Sequence, residues 1–150
     1  DALLKAGVNL AIGTDGCASN NDLDMFDELR TAALLAKAVA QDATAFKAFS
    51  ALHSATLAGA RAMGLEDRIG SLEAGKQADF IAVDLSQLET LPIYDVISQL
   101  VYAGSRQQVS DVWIAGRIKL RDRQLPDIDI LKVQATARQW QRTIKAIQSP

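Results

Sequence analysis

Residues 8–13 read Val-Asn-Leu-Ala-Ile-Gly, a short apolar run that ends in the polar tip Thr14-Asp15-Gly16. A run of this length, bounded by turn residues, predicts a buried parallel strand. The residues before it fit the last turns of a helix over 1–7, with Gly7 past its end as a left-handed cap. After it, residues 17–21 form a polar loop, and Asn21 or Asp22 is placed to cap the next helix. Asp22 and Asp24 suit the positive end of that helix. Its apolar stripe is Met25, Leu29, Ala32, Ala36 and Val39, spaced three and four apart. Strand, polar loop and helix in that order make one βα unit.

Residues 44–63 are helical in composition, in two pieces that meet near 53–56, and Gly64 ends them. From Gly70 the pattern changes. Residues 70–75 are turn-rich, and 78–84 read as a strand. A helix over roughly 94–103 follows Pro92. Residues 112–114 and 118–120 flank Ala115-Gly116, a hairpin signal, with Ile118 and Leu120 alternating with Arg117, Lys119 and Arg121. The last helix follows Pro126 and covers about 129–147. Its seam is Ile130, Val133, Ala137, Trp140, Ile144 and Ile147, which is too short for a long coiled coil and is expected to dock on the chain's own body. The best division of the chain is 1–69, 70–125 and 126–150.

Composition narrows the function classes. The 150 residues are 49% apolar, enough for a core, so a disordered chain is excluded. Sixteen Lys and Arg against eighteen Asp and Glu leave a net charge of −2, which argues against a nucleic-acid partner. No apolar run is long enough to span a membrane, and the start has no signal-peptide pattern. The lone cysteine, Cys17, has no disulfide partner in the chain, which fits a reducing, cytoplasmic setting. With no initiator methionine, the chain is expected to open partway through a longer protein.

Asp15 is the leading candidate for chemistry. A carboxylate at the C-terminal tip of an apolar strand, followed by glycine and small polar residues, sits where barrel enzymes keep catalytic groups. There it can bind a divalent metal and accept a proton from a bound water. Taken alone, Thr-Asp-Gly is also compatible with a plain turn. Ser19, four residues on, is a candidate for contacting substrate, or else a loop-stabilising hydroxyl. Asn20 and Asn21 read as loop-holding and capping residues. Cys17 lacks a paired base, His53 reads as a helix surface or packing residue, and Lys76 as a solvated turn residue. The stripe Arg117, Lys119, Arg121 and Arg123 reads as an edge-protecting solvated face. Residues 15–24 do not form an EF-hand loop, because Cys17 and Asn20 fall where a ligand and the required glycine belong.

Residues 13–21, Gly-Thr-Asp-Gly-Cys-Ala-Ser-Asn-Asn, leading into Leu23-Asp24-Met25-Phe26-Asp27-Glu28, resemble the last barrel strand of the amidohydrolase superfamily. The match looks closest to the methylthioadenosine/S-adenosylhomocysteine deaminase branch and its triazine-chlorohydrolase relatives. Residues 55–65 are similar to the helix after the barrel, 70–80 to the return into the family's small β-domain, and 112–117 to the hairpin that follows. The resemblance implies an α/β fold: the C-terminal portion of a (β/α)8 barrel, part of a composite β-sandwich, and a terminal helix. It implies one divalent metal, zinc or iron, with Asp15 as one ligand. The other ligands come from histidines on earlier strands. It also implies a small-molecule substrate of the adenosine-thioether type, with water activated by the metal for attack at C6 and ammonia as leaving group. Guanine or oxoguanine deamination and chloro-s-triazine hydrolysis are the alternatives, and a catalytically inactive module is a third. The sequence has no His-x-His and only one histidine, so the isolated chain is expected to be inactive. A barrel of this type needs roughly 250 residues. The terminal apolar seam leaves open a homo-oligomer of the full-length enzyme.

Overall fold

A computed structural model describes residues 2–148. Asp1, in the expected opening helix, and Ser149 and Pro150, in the expected terminal segment, lie outside the described residues. Helix α1 is Ala2–Lys5, and Gly7 beyond it is left-handed, with φ 76°. Residues 8–14 then run without a strand partner, which corrects the expected strand at 8–13. A strand needs a ladder. This segment is tethered to helices instead, by Ile12 N–H donating to Ser54 O at 3.1 Å and Asn9 Nδ2 donating to Ala58 O at 3.0 Å. Its period-two pattern survives over 9–13, since Leu10 and Ile12 pack against the core while Asn9, Ala11 and Gly13 are exposed; Val8, on the inward parity, is exposed as well.

Helix α2 is Met25–Ala40 and its N-cap is Asp24, not Asn21 or Asp22. The buried face is Phe26, Leu29 and Ala33, so the stripe is rotated from the one expected, and Val39 is exposed. The helical stretch expected from residue 44 starts only at Ala48. Helices α3, Ala48–Ala55, and α4, Leu57–Ala62, meet at Thr56, within the break anticipated at 53–56. Helix α5, Val96–Tyr102, returns from far along the chain to join α2 and α3. Leu29, Ala33, Phe46, Ala48, Ala51 and Val101 form their common core. Burying such side chains stabilises by about 1.5–3 kcal/mol for a Val, Leu or Phe, which holds α2 in place beside the 8–14 segment.

Three antiparallel strands make a small sheet in the order β1-β2-β3: Phe80–Val83, Val109–Ile114 and Arg117–Leu120. Phe80 lies opposite Trp113 and their rings stack at 4.5 Å. The hairpin turn at Ala115-Gly116 has φ of 50° and 72°. Both values are positive, as the hairpin turn that matches strand twist requires. Ala115 tolerates this because its N–H is held by Asp79 Oδ1 and the next amide by Ala78 O. On β3, Ile118 and Leu120 are half-buried, while Arg117 and Lys119 are exposed, as the alternation anticipates.

Helix α6, Ile130–Gln148, starts at an Asp129 carboxylate that accepts from Lys132 N–H at 3.0 Å. Its seam does not dock on the body as expected. Trp140 is 60% exposed, and Val133 and Ile144 are also exposed. Periodicity specifies which face is apolar, not what covers it. Lys76 is a further correction: its side chain is only 12% exposed and folds back to Ser71 Oγ at 2.7 Å and Glu73 at 3.4 Å. The left-handed Gly75 turns the chain so that this return is short. Among the described residues no helix is long and apolar enough to cross a membrane.

Candidate active site

Asp15 stands at the C-terminal tip of the 8–14 segment, exposed, with a left-handed φ of 60°. That conformation is costly for most L-residues, but a short acidic side chain offsets it with a local hydrogen bond. Here Asp15 Oδ1 accepts from Gly16 N–H at 2.7 Å, and Thr14 Oγ1 donates to Asp15 O at 3.1 Å. Asp15 Oδ2 has no hydrogen-bond partner among the described residues. The carboxylate is therefore aimed by its own backbone and keeps one oxygen free. Among the described residues no arginine pairs with it.

The loop that follows is held by polar links, because its side chains are mostly exposed. Gly16 O accepts from both Ser19 N–H and Asn20 N–H at 2.9 Å. Asn20 Nδ2 donates to Glu28 Oε1 on α2 at 2.6 Å, and Asn20 Oδ1 accepts from Asp22 N–H at 3.1 Å. Asn20 thus holds the loop as anticipated, whereas Asn21 is exposed and caps nothing. Ser19 is exposed on the same loop as Asp15. Cys17 is a free, exposed thiol. His53 lies on α3, half-buried and stacked on Phe49 with ring centroids 6.3 Å apart, consistent with a packing residue.

At the end of the loop Asp24, which the sequence placed at the positive end of α2, is its N-cap, and one contact from elsewhere in the chain, Arg106, escaped the sequence reading. Asp24 is 6% exposed, and its Oδ1 accepts from Phe26 N–H at 2.9 Å. Arg106, beyond α5, donates from Nη1 to Asp22 O at 2.8 Å, pairs with Asp22 Oδ1, and brings Nε to 3.7 Å from Asp24 Oδ2. The local signal for Asp24 was its place directly before an apolar helical run. Nothing local marks Arg106.

Among the described residues one group of carboxylates has the spacing for a metal: oxygens of Asp22, Asp24 and Asp27 lie within 4.8 Å of one another. Each is already engaged, Asp22 and Asp24 by Arg106 and Asp27 by Arg30 Nη1 at 3.2 Å. Each carboxylate of the cluster is thus paired with an arginine, and the cluster does not include Asp15. Asp15 has the oxygen donor a divalent cation accepts, but it offers one ligand where about three protein ligands are needed.

The Amidohydrolase family matches residues 1–119. The chain belongs to the amidohydrolase family. The resemblance carried by residues 13–21 and the three later motifs is thereby borne out. A Teredinibacter turnerae protein named 5-methylthioadenosine/S-adenosylhomocysteine deaminase is 50% identical over 145 residues, covering 97% of this chain and 33% of that protein. A Moorella thermoacetica protein of the same name is 50% identical over 133 residues, 89% of this chain and 31% of that protein. The crystal structure of a Xanthomonas campestris adenosine deaminase with bound zinc matches with a TM-score of 0.93 and 64% identity, covering 97% of this chain and 33% of that one. A zinc complex of atrazine chlorohydrolase from Arthrobacter aurescens matches with a TM-score of 0.76 and 26% identity, covering 89% and 30%. The chain spans about a third of the length of the curated relatives it matches.

Proposed function

We propose that this chain is the part of a longer hydrolytic deaminase that carries the metal-binding carboxylate Asp15. The substrates on this reading are adenosine-type thioethers such as 5′-methylthioadenosine and S-adenosylhomocysteine. Residues 8–13 would be the closing strand of a (β/α)8 barrel, with missing polypeptide as their ladder partners. The sheet and α6 would be the chain's share of the sandwich domain and a terminal helix. The names of the relatives at 50% identity and the zinc in the 64%-identical structure support this reading. The observation that carries it is the exposed Asp15 carboxylate, fixed through Oδ1 by Gly16 N–H, with Oδ2 free.

A divalent metal at this tip, zinc before iron, would lower the pKa of a bound water toward neutrality. Asp15 would supply one ligand oxygen and hold the water's proton at the other. The Gly16 amide on Oδ1 supports this reading by holding the carboxylate in one orientation. Ser19, exposed on the same loop, would meet the sugar or amino-acid tail of the substrate.

The test is ammonia release by the longer protein, offered methylthioadenosine, S-adenosylhomocysteine, guanine and a chlorotriazine in turn. The adenosine thioethers should be deaminated, and Asp15→Asn should lower kcat by about 10²–10⁴-fold, the usual worth of a proton-transfer group. Guanine or the triazine as the preferred substrate would move the reading to the corresponding relative. The isolated 150 residues with added zinc should release no ammonia. A tight stoichiometric zinc site on them would contradict the assignment of the other ligands to missing polypeptide.

A further inference from the structure

The loop between Asp15 and α2 has little apolar surface to fix it. Gly16, Cys17, Ala18, Ser19, Asn21 and Asp22 are all exposed, and both Asp15 and Leu23 hold left-handed backbone angles, 60° and 54°. A segment of this kind has only polar links to choose one conformation. Two of them reach outside the loop. One is Asn20 to Glu28, on the adjoining helix. The other is Arg106, whose side chain spans 84 residues of sequence to take Asp22 by its carbonyl and its carboxylate.

Arg106 can act as a strut because its own base is held. Ser105 N–H donates to the buried Gln108 Oε1 at 2.8 Å, and Asp84 N–H on the sheet side donates to Gln108 O at 2.7 Å. Arg30 of α2 reaches the opposite way, with Nε donating to Tyr102 O at 3.0 Å and Nη2 to Gly104 O. Gly104 permits the close turn there, since a Cβ would stand 2.5 Å from Leu100 O. Two arginines thus cross between α2 with its loop and the 102–106 segment.

From Arg106 the hydrogen bonds run without a gap to the carboxylate. Arg106 holds Asp22, Asp22 N–H donates to Asn20 Oδ1, Asn20 N–H to Gly16 O, and Gly16 N–H to Asp15 Oδ1. We propose that Arg106 is a positioning residue, which fixes the 16–24 loop and through it the aim of the Asp15 carboxylate. The functional half of this proposal rests on the reading of Asp15 given above. A planar guanidinium is suited to the task, because Nη1 donates to Asp22 while Nε keeps charge 3.7 Å from Asp24 Oδ2, a fixed spacing that an ammonium cannot copy.

The test uses the longer, zinc-loaded protein with Arg106→Ala, Arg106→Lys and, as a control, Lys119→Ala, which breaks the exposed pair with Asp127. Amide exchange in the 16–24 peptide should accelerate about ten-fold in Arg106→Ala, while the 29–40 peptide of α2 keeps its rate. The kcat should fall about ten-fold or more with KM changed less than about two-fold, since misplacement by an ångström can cost about 10²-fold. Lysine should restore less than half of the lost kcat, and Lys119→Ala should match the parent. Arg106→Ala combined with Asn20→Ala should lose less than the product of the two single losses, because both act on one chain of contacts. Unchanged exchange at 16–24, equal acceleration at 29–40, full rescue by lysine, or multiplicative losses would each overturn the proposal. A parent protein that deaminates none of the four substrates would sink the functional reading instead. The exchange measurement would then still decide whether Arg106 holds the loop.

Discussion

Replacing Asp24 by alanine removes the one buried carboxylate that starts α2. Three losses can be summed from the structure. Phe26 N–H loses its acceptor at 2.9 Å in a place only 6% exposed, a cap loss of about 1 kcal/mol. The negative charge at the helix N-terminus contributes about 0.5 kcal/mol more. The Arg106 contact adds no more than about 0.5 kcal/mol, since that arginine is 54% exposed and keeps Asp22. The total is about 2 kcal/mol. Asp24→Asn keeps an oxygen acceptor for Phe26 and loses only the charge-dependent part, about 0.5–1 kcal/mol. If the first turn of α2 opens locally, amide exchange over residues 25–29 should run about thirty-fold faster in the alanine variant and only about two- to five-fold faster in the asparagine variant. Hydrogen-exchange mass spectrometry on the longer protein reads both. Equal acceleration in the two variants would refute the hydrogen bond as the agent. No acceleration in either would mean that packing of Phe26 and Leu29 alone starts the helix.

Two further predictions concern the frame around the site. Gly70 has φ 91°, and a Cβ there would lie 2.7 Å from Ala60 Cβ and 3.0 Å from Leu57 Cα. Gly70→Ala should therefore destabilise by about 2–3 kcal/mol and lower the melting temperature, and an unchanged melting curve would show that α4 can move aside. At the start of α5, the Ser98 hydroxyl and then its backbone N–H hold the Asp95 carboxyl below its ordinary value of 3.8. A depressed folded-state value means that the cap's stabilisation is complete above about pH 4 and is lost as pH falls through the lowered folded value. A carbon-13 titration should place the Asp95 midpoint below 3.8, and Ser98→Ala should raise it. A midpoint that stays put in that variant would rule out the hydroxyl as the main cause.

Much of the local structure was legible because it depends on neighbours a few residues away. The hairpin at Ala115-Gly116, the break between α3 and α4 and the alternation along β3 all follow from short-range pattern and turn chemistry. Residues 8–13 show where that stops. Their alternation was readable, but a strand also needs a second strand. Here the segment meets Ser54 and Ala58 on two helices instead. The start of α2 was misplaced by two to three residues for a related reason. Asp22, Asp24 and the asparagines are all good caps in isolation, and Arg106 takes Asp22 out of the competition.

The order of residues by itself determined that an acidic side chain ends an apolar run, that helices and a hairpin follow, and which family's motifs they carry. Tertiary structure decided how that acid is held: a left-handed turn frees one oxygen, and an arginine from beyond α5 anchors the loop behind it. Backbone propensity and periodicity act over one or two turns of chain, so sequence displays them directly. A hydrogen bond between residues 84 apart exists only after α5 has packed on α2 and α3, and no local pattern encodes it.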